Sequence, residues 1–274
     1  MEKLLRASDE CRLDDVDTSS TPGFDGGKSQ GEKALAAGAI RLGHLQERLF
    51  AASRRGDTPG VLLVLQAMDT AGKGGIVRHV VGAVDPQGIQ LSAFKRPTDE
   101  ELAHHFLWRI EKRLPEPGMI GVFDRSHYED VLIGRVRQLA PADEIEARYG
   151  KIREFEQRVA DSGTAIVKVM LHISADQQKK RLADRLNRPE KHWKYNPGDV
   201  DERLLWNAYQ AAYQRAIETT NADHAPWYVV PANHKWYARL AVQTLVLGAL
   251  ERLDPQWPAA DFDVDVEKKR LAAS

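Results

Sequence analysis

"VLLVLQAMDTAGKGG", residues 61–75, joins an apolar run to a glycine-rich turn that ends in Gly-Lys-Gly-Gly. A continuous apolar run is how a strand buried on both faces reads. Ile76, Val77, Val80, Val81 and Val84 then recur at helical spacing. Strand, turn and amphipathic helix in that order make a phosphate-binding loop, in which backbone N–H groups point at anion oxygens and glycines let them approach. Ala71, Gly72, Gly74 and Gly75 supply that backbone here, and Lys73 adds a mobile positive charge. Two positions depart from the usual pattern: Ala67 stands at the first glycine, and Gly74 stands where a serine or threonine would hold magnesium. A second match, Gly26 to Ser29, has no apolar strand before it and Pro22 at its first-glycine position, so it is a decoy.

Gly74 has no oxygen to offer a metal, so the ligands must come from elsewhere. Magnesium takes hard oxygen donors. Asp69, inside the loop, is one candidate, with a turn-stabilising role as its alternative. Asp124 closes the run "MIGVFD", where a carboxylate at a strand end can hold Mg2+ or Mn2+; its alternative is a helix cap. Ser126 with Glu129 can do that capping instead. Arg125 follows directly and either forks across phosphate oxygens or pairs with a neighbouring acid. His127 and Tyr128 read as packing residues. Arg181, Arg185 and Arg188 fall four and three apart on one helix face, with Lys191 beyond Pro189. They form a solvated basic face or the anion-binding lid of a kinase. Lys95 and Arg96 follow the second strand and either touch a nucleotide or lie in solvent. His234 and Lys235 are weaker candidates.

Outward from the loop, strand and helix patterns alternate. "IQLSAF", "MIGVF", "AIVKVMLHI" and "WYVV" are further strands. Between them fall a helix opened by Thr98 and Glu101 with a stripe of Leu102, Phe106, Ile110 and Leu114, a helix through Ile145 to Val159 ending near Gly163, and one capped by Ser174. Trp108 is expected in the core and Arg109 on the surface. The last helix, capped by Asn233, runs to about Arg252. This predicts an α/β fold: an open five-stranded parallel sheet with helices on both faces, a P-loop kinase-like arrangement with a helical lid near 180–199. Ligands of such sheets bind beyond the carboxyl ends of the strands, where the loop and Asp124 both lie. A single domain over 34–252 follows, with a mobile polar arm over 1–33 and a tail over 253–274.

The chain has 274 residues, 42% hydrophobic, and a formal net charge of -1. There is no global field to draw in nucleic acid, so an anion site must be built locally. One cysteine, Cys11, excludes an internal disulfide. The lack of a long apolar run points to a cytoplasmic protein with no membrane partner.

Taken together, "MDTAGKGG", "FKRPTDEELAHHFLWR", "GVFDRSHYEDVL" and "RLNRPEKHWKY" resemble the polyphosphate kinase 2 family over about Gly60 to Arg252. The resemblance implies reversible, magnesium-dependent phosphoryl transfer between inorganic polyphosphate and a purine nucleotide such as AMP, ADP or GDP. Asp69 and Asp124 match the family's metal carboxylates, Lys73 and Arg125 its phosphate-binding residues, and Arg185, Arg188 and Lys191 its basic lid. "RSHYEDVL" looks more like the members acting on AMP, or on both AMP and ADP. The family also implies a homo-oligomer. Two rivals stand beside it: an ATP-dependent nucleotide or small-molecule kinase, and a non-catalytic polyanion binder, which the acidic pair disfavours.

Overall fold

Every expected strand forms, and the five lie in one parallel sheet of order β2-β3-β1-β4-β5. They are β1 (Gly60–Gln66), β2 (Ile89–Ala93), β3 (Ile120–Asp124), β4 (Thr164–His172) and β5 (Trp227–Pro231). The computed structural model describes residues 1–56 and 59–274. The principal helices are α1 (Lys28–Ser53), α2 (Lys73–His79), α3 (Ala142–Asp161), α4 (Ala175–Leu186), α5 (Gly198–Leu204), α6 (Trp206–Thr220), α7 (Lys235–Leu253) and α8 (Val264–Ala272).

Strand β1 is buried along its whole length because both its faces are covered. Val61, Leu63 and Leu65 pack with Leu42 and Leu49 of α1, Ile76 of α2 and Ala241 and Leu245 of α7. Leu62 and Val64 point the other way, toward Ile152 and Phe155 of α3 and Ala212 and Ala216 of α6. That is the period-2 alternation of a strand applied to two apolar layers. Leu65 lies opposite both Asp124 on β3 and Val169 on β4, so the phosphate loop after β1 and the acid ending β3 emerge side by side.

Several local expectations are corrected. Residues 1–33 are not a free arm. Leu5, Ala7 and Leu13 are buried, Ala7 N–H donates to the Trp227 carbonyl at 2.8 Å, and Arg6 bridges Tyr228 antiparallel. The arm therefore covers the edge of β5, which would otherwise expose unpaired backbone groups. Helix α1 begins at Lys28, inside the decoy motif. The helix after the phosphate loop stops at His79 and continues as a tight turn over Val81–Ala83. The Thr98–Glu101 capping box forms, but its helix ends at Leu102, which is exposed; a separate short turn spans Trp108–Glu111. That break inverts the expected pair: Arg109 is buried and Trp108 only partly so. The Arg109 guanidinium donates to the Lys95 carbonyl at 2.9 Å and sits 3.7 Å from both Glu101 and Asp130. Asn233 does not cap α7. Its side chain instead ties the Ser174 N–H (3.1 Å) to Thr18 (2.8 Å) and Ser19 (2.9 Å) of the arm. Among the described residues, no helix is long and apolar enough to cross a membrane.

Candidate active site

The turn after β1 is a strained cradle. Thr70 has φ 65° and Gly72 φ 129°, both in the left-handed region. Gly72 adopts it freely, whereas a β-branched threonine there is an outlier that surrounding contacts must hold. Arg181 supplies those contacts. Its guanidinium donates to the carbonyls of Thr70 (2.9 Å), Ala71 (2.7 Å), Ala232 (2.6 Å) and Asn233 (2.9 Å). This residue was expected among the phosphate binders of the lid. It lines the cavity but spends its donors on backbone oxygens, fastening the phosphate loop to the loop after β5. Burial lowers its pKa to about 10, which leaves it cationic at neutral pH. The Thr70 hydroxyl is buried with no hydrogen-bond partner among the described residues. The Lys73 ammonium donates to the Ala67 carbonyl at 3.2 Å.

Arg125, the residue after β3, also has φ 65°. Its N–H donates to the Leu65 carbonyl (3.0 Å), and its guanidinium reaches Asp69 at 3.3 Å. Burial works against the Arg125 charge, but Glu129, Asp69 and Asp124 outweigh it and raise its pKa. Glu129 was missed as a site residue. It is half-buried and does not line the cavity; desolvation raises its pKa while Arg125 and Lys73 pull the other way. Gln66, with its amide nitrogen on Glu129 (3.0 Å) and its oxygen on the Ser126 N–H (3.1 Å), joins the two strand ends. Ser126 caps the next turn, its hydroxyl accepting from the Tyr128 N–H at 3.2 Å, but the expected box with Glu129 does not form, since the Glu129 carboxylate takes the Gln66 amide instead.

His127 and Tyr128 are fully buried and turned away from the cavity. They belong to a network that periodicity did not disclose. Glu156 of α3 accepts from Lys168 of β4 at 2.6 Å and from the Tyr128 hydroxyl at 2.8 Å, and lies 3.2 Å from His127. Lys168 also donates to the Thr220 carbonyl at 2.8 Å. Burial alone would raise the Glu156 pKa, but Lys168 and His127 reverse that and lower it. The segment carrying Asp124 and Arg125 is thereby anchored on the far face of the sheet.

Between the strand ends and the lid lies a cavity of about 690 Å³. Ten lysines and arginines line it, against three aspartates. The chain as a whole carries -1, so its positive charge has been gathered here. Lys73, Lys95, Arg125, Arg185 and Lys191 reach the cavity with Ala71, Gly72, Gly74 and Gly75. Arg96 and Arg188 do not line it; Arg188 bonds to Glu190 at 2.7 Å in the lid. Arg185 donates to Asp199 (3.2 Å) and to the Lys194 carbonyl (2.8 Å), and Lys191 to Asp184 (2.6 Å). Lys194, beyond Pro189 in the same basic cluster as Lys191, also lines the cavity; Arg78, His79 and Arg239 line it unforeseen, because a basic side chain within a helix carries no local signal. Burial lowers the pKa of His79 and Lys235, and neighbouring cations lower both further. Such crowding of like charge is favourable only if an anion enters.

Asp69 and Asp124 both open into this cavity. They offer the hard oxygen donors that magnesium takes, with phosphate oxygens and water able to complete its shell. Among the described residues, no three His, Cys, Asp or Glu side chains converge as an all-protein metal cage. The donor set therefore fits an ion shared with a phosphorylated substrate.

The family model for polyphosphate kinase 2 matches residues 26–258. An AMP/ADP-polyphosphate phosphotransferase of Meiothermus ruber is 47% identical over 247 residues, 90% of each chain. An ADP-polyphosphate phosphotransferase of Rhodopseudomonas palustris is 44% identical over 230 residues, 80% of this chain and 78% of that one. The crystal structure of polyphosphate kinase 2 from Arthrobacter aurescens TC1 superposes with a TM-score of 0.98 at 58% identity, covering all of this chain and 96% of the other. With a strained phosphate cradle, two cavity-facing carboxylates and the matching sequence carried by one sheet edge, the chain belongs to the polyphosphate kinase 2 family.

Proposed function

We propose that this protein moves a phosphoryl group between inorganic polyphosphate and the phosphate of AMP or ADP. The observation that carries the reading is the cavity itself: ten cationic side chains line it, with Asp69 and Asp124 at the carboxyl edge of the sheet and Asp184 paired to Lys191. A cavity built only to hold one polyanion gains nothing from two acids, whereas two phosphorylated substrates sharing a cation need them. The names of the relatives support the same substrates.

In this reading an oxygen of the acceptor phosphate attacks the terminal phosphorus of polyphosphate. The bond to the bridging oxygen breaks, and the shortened chain leaves as an anion. The attacking oxygen is already ionised, so no strong base is required; catalysis is positioning and charge stabilisation. One phosphoanhydride replaces another, whether AMP or ADP is the acceptor, which makes the reaction reversible. Lys73 leaves the Ala67 carbonyl to meet a phosphate oxygen, and the loop amides donate to the same group. Arg125, held in line by Asp69 and Glu129, meets the transferring phosphoryl from the β3 side. Asp69 and Asp124 would hold magnesium or manganese, which would supply neutralisation of phosphate charge. Arg185 and Lys191 close over the phosphates and exclude water, which would otherwise hydrolyse the chain.

The decisive experiment supplies AMP or ADP, magnesium and polyphosphate with no ATP. Formation of ADP or ATP is expected. If nucleotide phosphorylation appears only when ATP is the donor, the reading fails in favour of an ordinary kinase.

A further inference from the structure

Trp193 is 79% exposed and yet lines the cavity. Water contact over so large an aromatic surface is unfavourable, and nothing in the fold covers it. Its surroundings are charged: Lys194 lies 4.7 Å from its ring centre, and Lys191 and Arg185 line the same wall. The other aromatic carbon nearby, Phe94, is 7% exposed and is held edge-on by Phe123 at 4.9 Å. Trp193 therefore offers a broad aromatic face into a cavity otherwise built for anions.

Only one part of either substrate is planar and weakly hydrated. Polyphosphate has no such part; a nucleotide has its base. We propose that Trp193 is the base-stacking residue of the lid, covering the nucleobase of the acceptor when the segment Pro189–Lys194 closes. This inference rests on the proposed function. Stacking on an indole face uses the π-surface that every base has, without reading its edge. The lid then recognises a nucleotide as against a bare phosphate chain, and treats adenine and guanine alike. It also gives lid closure a trigger: the acceptor's base, not the donor, completes the contact.

Two measurements test this. Trp193→Ala is expected to raise the KM for AMP and ADP about tenfold, within the range of measured base–aromatic stacking, while the KM for polyphosphate stays within about twofold. Trp193→Phe should restore most of the loss. In calorimetry, wild type should bind AMP more tightly than ribose 5-phosphate, and Trp193→Ala should erase that difference. An unchanged nucleotide KM, or an equal preference for AMP in the variant, overturns the stacking role while leaving the phosphotransferase reading intact. A wild type that neither binds nor phosphorylates nucleotide overturns both. Because the side chain is exposed, melting temperatures of the variants should match wild type, which separates loss of contact from loss of fold.

Discussion

Replacing Arg181 with methionine keeps the bulk of the side chain and deletes its four hydrogen bonds. Those bonds run 2.6–2.9 Å to carbonyls in two separate loops. A hydrogen bond involving a charged group contributes roughly 1.5–3 kcal/mol, so a simple sum gives about 6–12 kcal/mol. The sum is too large, because one guanidinium is desolvated once for all four; its lowered pKa records that cost. What remains is the cost of leaving those carbonyls without a donor, about 1–3 kcal/mol for each that water cannot reach, so a net loss of about 3–5 kcal/mol is expected. For a chain of this length each kcal/mol moves the melting temperature by roughly 2–4 °C. Arg181→Met should therefore lower Tm by roughly 10 °C. It should also lower kcat at least tenfold at temperatures well below Tm, because the carbonyl of strained Thr70 loses its tether, while polyphosphate KM changes little. Arg181→Lys should fall between, since one ammonium with three donors cannot span four carbonyls. The measurements are thermal melting and steady-state kinetics varied in each substrate. A variant that melts within 2 °C of wild type and shows only a raised polyphosphate KM would refute the scaffold role and return Arg181 to the lid's phosphate binders.

Lys73→Ala should lose kcat by about two to three orders of magnitude, the size seen when a transition-state donor is removed, with Tm unchanged; near-normal turnover would remove Lys73 from the mechanism. Chelation by EDTA should abolish transfer and magnesium should restore it, and polyphosphate should bind Asp124→Asn without the magnesium dependence of wild type; transfer that survives chelation would rule out the carboxylate pair as a metal site. Lys168→Met should cost about 3–5 kcal/mol by leaving Glu156 buried and unpaired, and adding Glu156→Gln should recover much of it; melting curves of the two variants decide. The Glu156 pKa lies below its ordinary 4.5, so the stability it contributes is present above that value and is lost as pH falls through the folded one. The double variant should accordingly show a flatter stability profile in acid, and an unchanged acid limb would mean other carboxylates set it.

What could be read from the sequence was local. The strand–turn–helix of the phosphate loop, the strand ending at Asp124, and the caps at Thr98 and Ser174 are each specified by neighbours a few residues apart. What escaped depends on distant segments meeting. Arg181, Arg185 and Arg188 do lie four and three apart, but spacing shows which face a residue occupies, not what arrives there. The carbonyls of Thr70 and Asn233 arrive at Arg181, and only solvent and Glu190 at Arg188. The polar composition of residues 14–33 suggested mobility, since it buries little apolar surface. Leu5 and Leu13, both before it, and the unprotected edge of a strand as aromatic as "WYVV", were the available counter-signals. Arg109 was misplaced because the helix that would have set its face breaks after Leu102.

Two of the four non-glycine residues with positive φ among the described residues, Thr70 and Arg125, sit on the two loops that carry Asp69 and Asp124. Each conformation costs on the order of 1–3 kcal/mol, and the strained geometry persists only when its surroundings over-determine it. The surroundings differ on the two sides. Thr70 is held from the cavity side by Arg181, across to the loop after β5. The Arg125 turn is held from behind, through Ser126, His127 and Tyr128 into the Glu156–Lys168 pair. Two acids that repel each other are thus fixed on separately anchored supports, with a single ion pair, Arg125 to Asp69 at 3.3 Å, linking them. Neither anchor uses the lid cations Arg185 and Lys191, which bond to Asp199 and Asp184 instead. The contacts that fix the two acids are therefore separate from those that hold the lid cations.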